Sequence, residues 1–168
     1  TKFPDQIHGE SGVDVVDYSS RTQALTISLN DAPDDGNAPE LDNVHKDVEG
    51  VIGGSGSDTI TGSEFSNTLI GGGGTDTLNG GTAGSDTFEG GAGFDTVSDA
   101  QRTVGITADN DGNSDDGAPG DVGNVMPDIE KIIGSSFSDT LAGRSALFAS
   151  ELRGGSGDDT LILDSPLA

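Results

Sequence analysis

Large apolar residues enter the middle of this chain one at a time, nine positions apart and once ten: Ile60, Leu69, Leu78, Phe88 and Val97. Each follows a threonine, and each threonine follows Asp58, Asn67, Asp76, Asp86 or Asp95. The preceding residues are mostly glycine, which bends freely into left-handed and crowded dihedrals. The pattern G-G-x-G-x-D-T-U-x, with U a large apolar residue, therefore predicts a tight turn and then an extended strand of about three residues with one side chain pointing inward. Two such units make a coil of roughly 18 residues, and coils stack as parallel strands about 4.8 Å apart. The predicted interior is a ladder of Ile60, Leu69, Leu78, Phe88, Val97, Leu141, Leu152 and Leu161. Leu141 and Leu161 come from outlying copies: residues 9–17, 134–142 and 154–162 repeat the pattern less regularly.

A second, longer period overlies the first. Gly12-Val13-Asp14 returns as Gly93-Phe94-Asp95, 81 residues on, and Asp47-Val48-Glu49 returns as Asp128-Ile129-Glu130. Asp34-Asp35-Gly36 likewise returns as Asp115-Asp116-Gly117, and a two-residue insertion near 144–150 shifts the later matches. The expectation is an all-β chain, a parallel β-roll or β-solenoid running continuously through residues 1–168. It has tandem pseudo-repeats 9–92 and 93–168, each with one longer acidic loop insertion.

Composition sharpens this picture. Hydrophobic residues make up 30% of the chain, glycine supplies 28 residues, and 30 acidic against seven basic residues give a formal charge of −23. Low hydrophobicity with high charge is the mark of a disordered chain unless cations neutralise the carboxylates. The few Lys and Arg residues cannot form the basic patch that nucleic acid needs, and no apolar run is long enough to insert in a membrane. Without Cys there is no disulfide to staple a thin core, which leaves metal ions for that role. No nucleophile elbow, P-loop or H-E-x-x-H zinc motif is present, the isolated His8 and His45 included, so the chain is read as non-catalytic.

The turn residues suit a hard cation such as Ca²⁺, which takes six to eight oxygens. Position one of the repeat is Gly53, Gly71, Gly80, Gly90 or Gly154; position two is Gly54, Gly72, Gly91 or Gly155; position four is Gly56, Gly74, Gly93 or Gly157. Turns two units apart stack, so Asp58, Asp76 and Asp95 are placed on one edge and Asn67 and Asp86 on the other. Each ion is expected between successive turns, with Asp76 serving two ions, another ion between Asp139 and Asp159, a weaker site at Asn67, and Asp14 in a weaker outlying copy. In the insertions, Asp34 and Asp35, and Asp109, Asp111, Asp115 and Asp116, form a second set of candidate ligands. Residues 109–115 alternate oxygen donors as an EF-hand loop does, but lack its Gly at position six and its Glu at position twelve. A solvated acidic loop is the alternative there.

The repeats GGSGSDTIT, GGGGTDTLN, GGAGFDTVS and GGSGDDTLI resemble the RTX, or haemolysin-type, calcium-binding nonapeptide family. The resemblance implies several Ca²⁺ ions bound in a β-roll, export by bacteria, and folding in calcium-rich extracellular surroundings. It leaves two readings of role. One is a structural protein of a surface layer, matrix or filament, self-associating end to end. The other is a folding and secretion module of a larger exported enzyme, toxin or adhesin.

Overall fold

A computed structural model describes residues 3–143 and 150–163. The insertion near 144–150 and the C-terminal stretch after Leu163 fall almost wholly outside the described residues. The described chain is all strand and no helix, and every pairing between its named strands is parallel. No helix among these residues is long and apolar enough to cross a membrane.

The coil is not uniform. The first layer has three strands, β1 (Gln6–Ile7), β2 (Val15–Asp17) and β3 (Thr26–Ser28), covered one for one by β4 (Asn43–Val44), β5 (Gly50–Ile52) and β6 (Thr59–Thr61). From there two-strand layers follow: β7 (Thr68–Gly74) and β8 (Thr77–Asn79), then β9 (Thr87–Gly93) and β10 (Thr96–Ser98). The wide layer then recurs: β11 (Thr107–Asp109), β12 (Asn124–Val125) and β13 (Lys131–Ile133) lead to β14 (Thr140–Gly143). The stack closes with β15 (Glu151–Arg153) and β16 (Thr160–Leu163). Two walls run most of its length, β2-β5-β7-β9-β12 and β3-β6-β8-β10-β13-β15. Short third walls, β1-β4 and β11-β14-β16, stand at opposite ends, and no sheet closes on itself.

The insertions are thus more than loops, because each adds a strand to its coil. Between β3 and β4 the chain folds back through the antiparallel bridges Thr26↔Gly36 and Asp35↔Asp42, and between β11 and β12 through Thr107↔Gly117 and Asp116↔Gly123. One buried carboxylate ties each arm at its base. Asp35 accepts the Ser28 and Val44 N–H at 2.6 and 2.7 Å, and Asp116 accepts those of Asp109 and Val125 at 2.6 and 2.8 Å. Burial pushes Asp35 up to about 6 and Asp116 up to about 7, the N–H donors opposing that shift.

Inward residues face each other across the walls: Ile27, Ile60, Leu78, Val97 and Ile132 on one side, Val51, Leu69, Phe88 and Val125 on the other. The ladder expected from the sequence is buried from Ile60 to Leu141, but Leu152 is only partly covered and Leu161 is 50% exposed. The reason is position: β15 and β16 are the last rungs of their walls among the described residues. Removing a fully buried leucine loses both transfer energy and packing, so Leu69→Ala should destabilise the folded protein by about 2–5 kcal/mol. Leu161→Ala should cost less than about 1 kcal/mol. Denaturant unfolding of the two variants measures this; equal losses would mean that the ladder is not the core.

Candidate metal centre

Where the residue just before a strand is acidic, it commonly reaches back one layer. Its side-chain oxygen accepts the backbone N–H of the equivalent residue in the layer before, so side chains form rungs parallel to the sheet bonds. Asp58 N–H donates to Asp76 Oδ1 at 2.7 Å, Asp76 N–H to Asp95 Oδ1 at 2.8 Å, and Asp95 N–H to Glu130 Oε2 at 2.7 Å. Asn67 N–H donates to Asp86 Oδ1 at 2.9 Å, Asp139 N–H to Asp159 Oδ1 at 3.0 Å, and Asp14 N–H to Glu49 Oε2 at 2.9 Å. Asp58, Asp76 and Asp95 therefore share one edge, with Asn67 and Asp86 on the other. Glu49 and Glu130 were not among the expected ligands, although their duplicated place one residue before a strand marked them.

The turns come in two forms. In the closed form the position-two N–H caps its own position-six side chain: Gly54 to Asp58 Oδ2 at 2.7 Å, Ser63 to Asn67 Oδ1 at 2.8 Å, and Ser135 to Asp139 Oδ2 at 2.7 Å. Ser63 and Phe65, and Ser135 and Phe137, stand where open turns have glycine, and L side chains resist left-handed dihedrals. Gly54 and Gly56 are needed for a different reason, since a Cβ on Gly56 would strike the Gln23–Ala24 backbone.

In the open form residues at positions two and four are left-handed: Gly72 and Gly74, Gly91 and Gly93, Gly155 and Gly157, and in the longer repeat Gly81 and Gly84. The turn at residues 9–14 is also open, with φ of 62° at Glu10 and 144° at Gly12. A non-glycine residue held there is strained, as functional turns often are. In three open turns the carboxylate is left with a buried, unpaired oxygen: Asp14 Oδ2, Asp76 Oδ2 and Asp95 Oδ2, joined by Asp128 Oδ1 beside the Asp95 turn. Asp14 is the first-half counterpart of Asp95 and shares its unpaired Oδ2.

These oxygens face further oxygens. A Cβ on Gly71 would lie 2.5 Å from Asp76 Oδ2 and 2.8 Å from the Gly90 carbonyl, and one on Gly90 would lie 2.7 Å from Asp95 Oδ2 and 3.0 Å from the Asp128 carbonyl. Only glycine fits at position one, and what it leaves is a small oxygen-lined cradle. Buried anionic oxygens without donors are costly, and a donor set of carboxylate and carbonyl oxygens suits a hard divalent cation. Burial, and then the charges of Asp95 and Asp58, pushes Asp76 up to about 6. Burial and Asp128 raise Asp95, and burial with Asp95 and Asp128 nearby raises Glu130.

The arms differ from each other. Asp109, Asp111 and Asp115 bring one carboxylate oxygen each to within 4.8 Å of one another. In the first arm Ser28 and Asn30 stand at the first two of these places, leaving exposed Asp34 near the Asn30 amide at 3.4 Å. Asp35 and Asp116 point away into the arm bases described above. His8 and His45, expected as isolated imidazoles, are stacked with ring centroids 3.7 Å apart, and His45 Nδ1 lies 2.9 Å from Asp31 Oδ1.

The raised carboxylates fix a pH dependence. A folded-state pKa above the ordinary 3.8 means that the metal-free roll holds its proton more tightly than the unfolded chain does. Metal-free stability is then greatest below pH 3.8 and falls as pH rises through about 6 for Asp35 and Asp76 and about 7 for Asp116. In excess chelator, acidifying from about pH 8 to about pH 5 should increase the β-sheet circular dichroism. A signal that is flat or falls over that range would contradict the burial of these groups.

The family model of the RTX calcium-binding nonapeptide repeat, in 4 copies, matches residues 52–82, 80–98 and 149–165. No curated protein matches the chain. The matched segments carry the turns of Asp58, Asn67, Asp76, Asp86, Asp95 and Asp159, on a parallel roll of strands. These segments of the chain, 52–98 and 149–165, are similar to the RTX calcium-binding nonapeptide repeat.

Proposed function

We propose that this chain is a secreted structural protein whose roll is folded by calcium and assembles into an extracellular layer, matrix or filament. The observation that carries the calcium part is the set of buried, unpaired carboxylate oxygens at Asp14, Asp76 and Asp95. In this reading each of these open turns takes an ion, with carbonyl oxygens of the next layer completing the ligands. The Asp109, Asp111 and Asp115 group is a further site, in the second arm only. With a formal charge of −23 and a core one side chain deep per strand, the metal-free chain at neutral pH stays expanded. Ion binding to the folded form then becomes folding energy. The roll continues through both pseudo-repeats as one body, so ions at one layer support the next.

Assembly is supported by the last strand. β16 has no partner on its outer side among the described residues, and Leu161, Ile162 and Leu163 there are 50%, 36% and 69% exposed. An apolar strand edge invites a second copy.

Circular dichroism tests the first part. In chelator near neutral pH the chain should give a coil spectrum, and millimolar Ca²⁺ should convert it to a β spectrum; full β signal in chelator sinks the reading. Light scattering in calcium tests the second. The intact chain should grow in mass with concentration, and Leu163→Lys should suppress the growth; a monodisperse monomer at high concentration removes the assembly.

A further inference from the structure

We infer that Arg102 is a resident cation, its guanidinium filling the metal position of the Asp86 turn, so that this turn is neutralised by the chain itself and takes no calcium. The inference rests on the calcium reading of the open turns and narrows it, because it separates an open turn that needs an ion from one that does not.

The Asp86 turn has the open backbone, with φ of 91° at Gly81 and 100° at Gly84. By the pattern of Asp76 and Asp95, Asp86 Oδ1 should serve the rung and Oδ2 should be left unpaired. The rung is there, from Asn67 N–H. Oδ2, however, accepts Arg102 Nη2 at 2.8 Å, and the same nitrogen donates to the Gly84 carbonyl at 2.8 Å. One positive group thus holds the position-six carboxylate and a turn carbonyl together, which is the pair of donors an ion would hold. Gly84 belongs to the repeat that carries the extra residue, so the one lengthened turn is the one that grips the arginine.

The guanidinium is enclosed. Arg102 is 3% exposed, and its remaining nitrogens face Asp99 at 3.5 Å and Asp121 at 3.4 Å. Three carboxylates around one buried guanidinium are an anionic nest. Both oxygens that an ion would take here, Asp86 Oδ2 and the Gly84 carbonyl, are already satisfied by the one nitrogen. The rest of this edge is also metal-free in character. Its neighbouring turn has the uncharged Asn67, whose Oδ1 is capped by Ser63 N–H and whose amide faces the Val48 carbonyl at 3.4 Å. Calcium in the narrow middle of the roll is then confined to the Asp58–Asp76–Asp95 edge.

The duplication shows how specific this is. Arg21 stands 81 residues before Arg102, and Glu40 stands 81 before Asp121. Arg21 meets Glu40 at 3.0 Å, but it is 32% exposed and pairs with no turn carboxylate among the described contacts. The ion pair is common to both halves, and only the second half turns it into a plug.

Counting bound ions by native mass spectrometry at saturating Ca²⁺ tests this, using the intact chain and the variants Asp76→Asn, Asp86→Asn and Arg102→Gln. Asp76→Asn should lose one ion, Asp86→Asn should keep the wild-type number and calcium midpoint, and Arg102→Gln should gain one ion at the vacated carboxylates. If Arg102→Gln does not fold, Asp86→Asn still decides. Loss of an ion in Asp86→Asn overturns the inference while leaving the calcium reading intact. An unchanged count in a folded Arg102→Gln also overturns it. A wild-type chain that binds no Ca²⁺ overturns both.

Discussion

Stacking one acidic side chain per turn in a parallel roll repeats negative charge at the spacing of the layers, and the rest of the structure answers to that repulsion. At about 4.8 Å and an effective dielectric of about 20, neighbouring carboxylates repel by on the order of 3 kcal/mol. The rungs recover part of it, since each carboxylate accepts a backbone N–H from the layer before. What remains is met in different ways along the roll. Closed turns add a second N–H, the Asn67 turn drops the charge, the Asp86 turn recruits Arg102, and the open turns of Asp14, Asp76 and Asp95 keep a bare oxygen.

Much of this was legible in the sequence because its period is short. Position eight marked the core and position six the edges, and both follow from strand alternation over three residues. The wide layers were not legible. β4 and β12 have only two residues each, and what ties them in is Asp35 and Asp116, acidic residues seven places after the N–H donors Ser28 and Asp109 and indistinguishable by composition from solvated loop. The division into open and closed turns was half visible. Ser63 and Ser135 announce closed turns, whereas Gly54 and Gly56 read as open and are held closed by the 21–24 segment packed against them. The pairing of His8 with His45 depends on a layer offset that only the wide coil creates.

The two halves show one scaffold carrying two chemistries. Their rungs, arms and arginine–acid pairs match, while Ser28 and Asn30 stand where the second half has Asp109 and Asp111. Asp31, left-handed without being glycine, stands where the second half has Gly112. Changes of this sort leave the backbone hydrogen bonds alone and alter only which oxygens point where.

The rungs also have a direction. In every one the donor belongs to the earlier layer and the acceptor to the later. A roll built this way is chemically polar, like a screw whose two faces differ: each layer turns side-chain acceptors toward the layer before it and backbone donors toward the layer after it. Such faces complement each other only head to tail. Contacts between like faces would set acceptor against acceptor, which gives this protein a sense of direction along its axis before any other surface is considered.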